Sequence, residues 1–313
     1  MLLGRTASGL YWMSRYIERA ENTARIVDVG LRMALTRSQD AGSDWSSVVV
    51  SSGVEEGFRS KHAACTVDSV ADYLLRDRSN PSSVLLCFER ARENARMVRT
   101  ALTREVWEGV NEAWMIVKRV LAEPVRAAEL TEIIDTIKRQ SVLILGTFSG
   151  TMLRNEIFNF IRIGTYIERA DNTARILDVK YHLLLPSVAH VGTSLDFYQW
   201  ESLLRSVAAH RSYRWVYDAQ YRPLNVADFL ILNQRMPRSL RFCYEGVSEN
   251  LQQLAAGHGA SHPCHRVAAA MLKRLAGSSV DCLFRGGLHE FLTDFIADNN
   301  RLSAEIAGCY NFD

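Results

Sequence analysis

Two short stretches hold the residue types best suited to chemistry. Tyr16–Val29 reads YIERAENTARIVDV and Tyr166–Val179 reads YIERADNTARILDV, differing only at Glu21/Asp171 and Val27/Leu177. Each stretch supplies a glutamate, two arginines and an asparagine. These are Glu18, Arg19, Asn22 and Arg25 in the first, and Glu168, Arg169, Asn172 and Arg175 in the second. An arginine fork matches a carboxylate or a phosphate in two parallel hydrogen bonds. A neighbouring glutamate orients such forks or accepts an amine, and an asparagine completes the hydrogen bonding. The flanking sequences differ widely, so the local identity points to a specific constraint. A fainter third copy reads Glu89-Arg90-Ala91 followed by Ala95-Arg96.

A helix must position these residues, because the apolar spacing around them is helical. At 100° per residue, Met13, Ile17, Ala20, Ala24, Val27 and Leu31 share one face, and the two alanines permit close helix approach. Ser14, Glu18, Asn22, Arg25 and Arg32 share the opposite face, with Arg15 and Glu21 at its edges, and Arg19 projects to one side. The second copy repeats the pattern with Ile163, Ile167, Ala170, Ala174 and Leu177 against Glu168, Asn172 and Arg175. Glu18 and Arg25 stand two turns apart, about 10 Å, so each needs a partner on another helix. The equivalent face of the second copy is the natural one. Such a network serves either of two ends: it fixes helix pairing with no ligand, or it lines a cleft for an anionic group.

Other candidates are weaker. His258, His262, Cys264 and His265 lie close together in HGASHPCH, but the Gly/Pro context and spacing match no zinc motif, so a polar loop is expected and no metal site. No ExxH signature of a di-iron bundle occurs. Asp294 and Asp298 have i, i+4 spacing, and Asp28 and Asp178 close the repeats. All four read as solvated helix faces rather than magnesium ligands. Phe148-Ser149-Gly150 lacks the strand–turn–helix setting of a nucleophile elbow. There is no Walker loop or GxGxxG, and Gly286-Gly287 reads as a helix start. Trp107, Trp114, Trp200, Trp215, Tyr213 and Tyr217 read as core packing. No cofactor is implied.

The chain that carries these stretches has 313 residues, 48% hydrophobic and 23% charged, with a net charge of +2. That balance is globular, large enough for a well-buried core, and gives no reason to expect nucleic-acid binding. Lysine occurs only at 61, 118, 138, 180 and 273, and every other basic residue is arginine, as a G- and C-rich genome would favour. Six scattered cysteines form no CxxC pair, consistent with reduced thiols in a cytoplasm. The first residues resemble no signal peptide, and no apolar run is long enough to span a membrane.

Prolines 81, 124, 186, 223, 237 and 263 punctuate helical periodicity. The expected fold is all-α, a multi-helix bundle with an approximate twofold internal duplication. Long helices are expected near 8–35, 82–104, 127–149, 152–184, 238–256 and 286–307. Ser47–Ser51 is read as a short helix capped by Ser43-Asp44. The least ordered stretches are expected at Arg37–Ser43, Pro186–Thr193 and Gly257–Pro263. One domain is expected over 1–313, with repeat halves near 1–150 and 151–313.

At Glu18-Arg19 and Glu168-Arg169 the sequence resembles the bacterial alpha-E proteins, named for an α-helical domain with an "ER" motif. The similarity continues through Met1–Arg5 with Tyr11-Trp12, through Ala91–Arg96, Trp107 and Asn111, and through Pro237–Leu240. The resemblance implies a context. Such proteins accompany circularly permuted ATP-grasp ligases and transglutaminase-like proteins, in systems that make or modify peptides through amide bonds. It thus implies a binding or accessory role, with a short peptide or acidic metabolite as ligand. Two other roles are open to the residues themselves. One is an enzyme using Glu18 or Glu168 as general base, although neighbouring arginines lower carboxylate pKa values and argue the other way. The other is a purely structural interaction module.

Overall fold

The structure, a computed structural model, describes residues 2–34, 41–184, 194–217 and 220–312. All regular structure among these residues is helical. The first half runs through α1 (Gly4–Ala34), α2 (Ala41–Ser51), α3 (Glu55–Arg59), α4 (Val67–Leu75), α5 (Val84–Met97), α6 (Arg104–Val120) and α7 (Leu130–Thr151). The second runs through α8 (Glu156–Leu184), α9 (Ser194–Ser206), α10 (His210–Val216), α11 (Pro223–Ile231), α12 (Leu240–His258), α13 (Pro263–Ala276), α14 (Val280–Arg285) and α15 (Leu288–Cys309).

The long helices fall where the periodicity places them, and local capping chemistry moves several ends. The helix expected over 82–104 stops at Met97 and gives way to a 3-10 turn at Arg99–Ala101. There Thr103 starts α6 by accepting a hydrogen bond from the Val106 N–H. α8 starts later than expected because Asn155 Oδ1 accepts from the N–H groups of Ile157 and Phe158, at 3.1 and 3.3 Å. Ser47–Ser51 is helical, but α2 already begins at Ala41, so Ser43 and Asp44 sit inside it rather than capping it. Of the loop expected at Arg37–Ser43, residues 37–40 lie outside the described residues and 41–43 are instead helical in α2, while the loop expected at Pro186–Thr193 lies wholly outside them. In the third, Gly259 ends α12 at φ +65°, a left-handed conformation that suits glycine, and Pro263 opens α13 as its first residue.

α1 and α8 lie against one another at the centre. α1 also packs on α5 and α7, while α8 packs on α12 and α15. α5 continues onto α6 and α6 onto α7, just as α12 continues onto α13 and α13 onto α15. α2 packs on both α1 and α8, and α9 packs mainly on α1 and also touches α8. Both central helices are therefore covered all round, and their polar faces are buried along with the apolar ones: Glu18, Glu21, Asn22, Arg25, Glu168 and Asn172 are all buried. The closest approach is at Gly164. A Cβ there would collide with the Ser14 hydroxyl and stand 2.5 Å from the Tyr11 carbonyl oxygen.

A second pair of similar stretches escapes a reading centred on the ER motif. Val70-Ala71-Asp72, Pro81-Ser82-Ser83 and Cys87-Phe88-Glu89 have counterparts in Val226-Ala227-Asp228, Pro237-Arg238-Ser239 and Cys243-Tyr244-Glu245. They build α4–α5 and α11–α12. The Glu89-Arg90-Ala91 stretch is thus the partner in pattern of α12, not a third copy of the motif. Glu89 pairs with Arg78 at the surface, 2.5 Å away, and takes no part in the central network.

Candidate functional site

The expected network forms, with a different division of labour among the arginines. Arg19 grips Glu168 with two hydrogen bonds, Nε to Oε1 at 2.6 Å and Nη2 to Oε2 at 2.9 Å. Arg169 grips Glu18 in the same way, with both distances at 2.9 Å. The residues that cross between helices are therefore Arg19 and Arg169, which the helical wheel placed to one side. Arg25 and Arg175 turn back along their own helices. Arg25 binds Glu21 at 2.9 and 2.6 Å, and Arg175 binds Asp171 at 2.6 Å. Each then donates to a main-chain carbonyl at the end of a crossing helix: Arg25 to Ser206 at 2.5 Å, and Arg175 to Ser51 at 3.4 Å. Even the turns beyond these carbonyls match, with left-handed φ angles at Gly53 (69°) and Ala208 (56°).

Two positions break the symmetry. Ser82 and Arg238 hold the same place ahead of α5 and α12, and each main-chain carbonyl accepts from a repeat threonine, Thr23 at 3.5 Å and Thr173 at 2.7 Å. Arg238 reaches into the cluster beside α1. It donates to Glu18 at 3.1 Å, to Asn22 Oδ1 at 3.2 Å and to Glu21 at 2.5 Å. Ser82 cannot do this beside α8. There the third guanidinium comes instead from Arg15, which binds Glu168 at 2.9 Å and is anchored by Ser303 at 2.5 Å and Tyr11 at 3.3 Å. The counterpart of Arg15 is Thr165, which only bonds back to the Ile161 carbonyl.

The consequence is one filled cluster and one hollow one. Beside α8 a cavity of about 220 Å³ is walled by Arg19, Ser82, Glu168, Asp171, Asn172 and Arg175. Asn172 is 2% exposed, and neither its Nδ2 nor its Oδ1 has a partner. Its counterpart Asn22 uses both atoms, donating to the Glu168 carbonyl at 3.2 Å and accepting from Arg238. An unpaired buried amide is costly, so such a group is a natural ligand contact. The Arg175 side chain is 26% exposed where that of Arg25 is 9%.

The electrostatics make these carboxylates acceptors for cations rather than bases. Burial pushes the Glu168 carboxyl up, but Arg19 and Arg15 outweigh it and hold it at about 2. Glu21 is likewise lowered, with Arg238 and Arg25 outweighing burial. Burial and the nearby Arg25 guanidinium bring Arg238 down to about 10. The thiols behind the two clusters, Cys87 and Cys243, are both raised to about 12 by burial.

The remaining candidates disperse. His258 pairs with Glu156 at 2.9 Å, and His265 bonds the Leu251 carbonyl at 3.0 Å. Among the described residues no group of three or more His, Cys, Asp or Glu side chains is placed to hold a metal ion. Asp298 pairs with Arg274 and Arg301, and Asp28 with Arg32 and Lys138, so neither is merely solvated. Asp178 pairs with His289 at 2.6 Å, while Asp294 is exposed. Ser149 lies within the last turns of α7, and Gly287, at φ 92°, does precede a helix. Trp114, Trp200 and Tyr213 join the core, but Trp215, on the short helix α10, is 82% exposed. The sequence reading also missed Lys180, which is buried against Asp196 at 2.8 Å. The ion pair borders a cavity of about 1050 Å³ lined by Leu177, Trp200, Phe284 and Leu292. Arg238 falls within the Pro237–Leu240 stretch of the resemblance, but its contacts with Glu18, Asn22 and Glu21 were not legible there.

Comparison with known proteins places this geometry. Relatives include uncharacterised proteins of Mycobacterium bovis and Mycobacterium tuberculosis, each 25% identical over 292 residues, or 88% of this chain and 32% of the relative. The chain thus spans about a third of the length of the curated relatives it matches. No solved structure gives a significant match. No described helix is long and apolar enough to cross a membrane. Residues 2–310 match a predicted alpha-helical domain with a conserved ER motif, and the chain belongs to this family, Alpha-E.

Proposed function

We propose that this protein is a cytoplasmic binding component of a bacterial system that makes or modifies peptides through amide bonds, and that its Glu/Asn/Arg cluster holds a carboxylate- or phosphate-bearing ligand. The observation that carries the reading is the cavity beside α8, where Asn172 is buried with its amide unpaired next to partly exposed Arg19 and Arg175. A network needed only for helix pairing has no use for an empty space and an orphaned amide at its centre. The clamping of Glu168 by Arg19 and Arg15 supports binding over general-base catalysis there, since these guanidinium groups hold its carboxyl at about 2. The resemblance drawn from the ER motif supplies the partners, an ATP-grasp-type ligase and a transglutaminase-like protein. The greater length of the mycobacterial relatives accords with a domain that works beside others.

The experiment is affinity capture of the tagged protein from its own host, with mass spectrometry asking specifically for an ATP-grasp-type ligase. Its enrichment over an untagged control is expected. Its absence, repeated after chemical crosslinking, removes the amide-ligation context.

A further inference from the structure

We infer that the two clusters are one binding site and one plugged copy: Ser82 leaves open beside α8 the space that Arg238 fills beside α1, and that open space takes a compact carboxylate. The inference rests on the anion-binding reading above and narrows it in number and in ligand charge.

The charges decide what the open space accepts. Beside α1, the guanidinium groups of Arg25, Arg169 and Arg238 face the carboxylates of Glu18 and Glu21. Beside α8, those of Arg15, Arg19 and Arg175 face Glu168 and Asp171. Each cluster therefore has one guanidinium in excess. Beside α1 the excess group itself occupies the space. Beside α8 it enters from α1 as Arg15, so the charge is supplied and the space stays vacant. A cationic ligand there would bring a fourth positive charge against two carboxylates. Those two carboxylates are already engaged by the three guanidinium groups, so a further cation would find no free counter-charge. One carboxylate balances the excess, whereas a phosphate dianion overshoots it within reach of Asp171.

The donors are in place. Asn172 Nδ2 is unpaired, and Arg175 Nη1 makes only the long 3.4 Å bond to the Ser51 carbonyl. Gly53 keeps that nitrogen accessible, because a Cβ there would stand 2.9 Å from it. Ile26, Val54 and Leu74 also line the cavity and suit the short apolar part of a carboxylic acid.

The test is titration of the whole protein with 13C-labelled acetate by NMR, with inorganic phosphate and methylguanidinium in parallel. Saturable binding of one acetate per chain is expected, with phosphate weaker and methylguanidinium silent. Ser82→Arg supplies a plug like Arg238 and should weaken acetate binding at least tenfold, while Ser82→Ala retains it. Should Ser82→Arg fail to fold, Asn172→Leu, which removes the amide without adding charge, must give the same loss. Two acetates per chain, unchanged binding in a folded Ser82→Arg protein, or preference for methylguanidinium would overturn the inference. Tighter phosphate binding would refute the carboxylate while leaving the anion-binding reading intact. If none of the probes binds, both fail.

Discussion

Glu18 accepts two hydrogen bonds from Arg169 and one from Arg238 with no solvent around it. Removing one partner of a buried ion pair strands the others, at a cost of about 3–5 kcal/mol. Glu18→Ala should therefore lower the unfolding free energy measured by urea denaturation by an amount in that range, and a loss under about 1 kcal/mol would mean that the guanidiniums find other partners. The acid side follows from Glu168, whose carboxyl falls from an ordinary 4.5 to about 2. A lowered folded-state value adds stability that is complete above the unfolded value and is lost as pH falls through the folded one. Unfolding free energy should thus drop as pH is lowered from 4.5 toward 2, and Glu168→Gln should show a flatter profile there. Thiol chemistry gives an independent check on the burial. Cys87 and Cys243 should resist iodoacetamide in the native protein, whereas exposed Cys282, lowered by its Ser279 and Arg285 contacts, should be alkylated first. Peptide mass spectrometry reads the order directly.

At the scale of helices, much was legible. Asn80–Ser83, Pro223, Pro263 and Gly259 mark real helix boundaries, because capping and proline geometry act on the nearest turn. What a helical wheel does not contain is the neighbour. It gives the angle of Arg19 and Arg25 but not which helix lies at that angle. It therefore cannot tell that Arg19 crosses to Glu168 while Arg25 folds back on Glu21. Arg15 and Arg238 were less legible still. Their roles arise where the two halves differ, at Arg15/Thr165 and Ser82/Arg238, while the search for a motif rewards positions that agree. The α1–α8 contact has its own test. Gly164→Ala would push a methyl group into Ser14 and the Tyr11 carbonyl, and neither is the free end of a flexible chain. A destabilisation of about 1–3 kcal/mol is expected for such overpacking. An unchanged melting temperature would show that the helices can separate without loss.

Across the whole molecule, the other helices pack around α1 and α8, and the ER motif lies where these two central helices meet. The motif thus works twice. Arg19–Glu168 and Arg169–Glu18 join α1 to α8, and in the proposed reading the space at one end of that seam holds the ligand. That reading accounts for the unpaired Asn172 amide and the partly exposed Arg175. The contrast between Arg25 and Arg175 separates the two tasks in a single experiment. Acetate binding by calorimetry and thermal unfolding should be measured side by side for Arg25→Ala and Arg175→Ala. Arg175→Ala should lose binding at least tenfold yet melt close to the wild type, while Arg25→Ala should melt clearly lower and, where folded, still bind. Equal destabilisation by both substitutions, with binding unchanged in Arg175→Ala, would contradict the proposed reading.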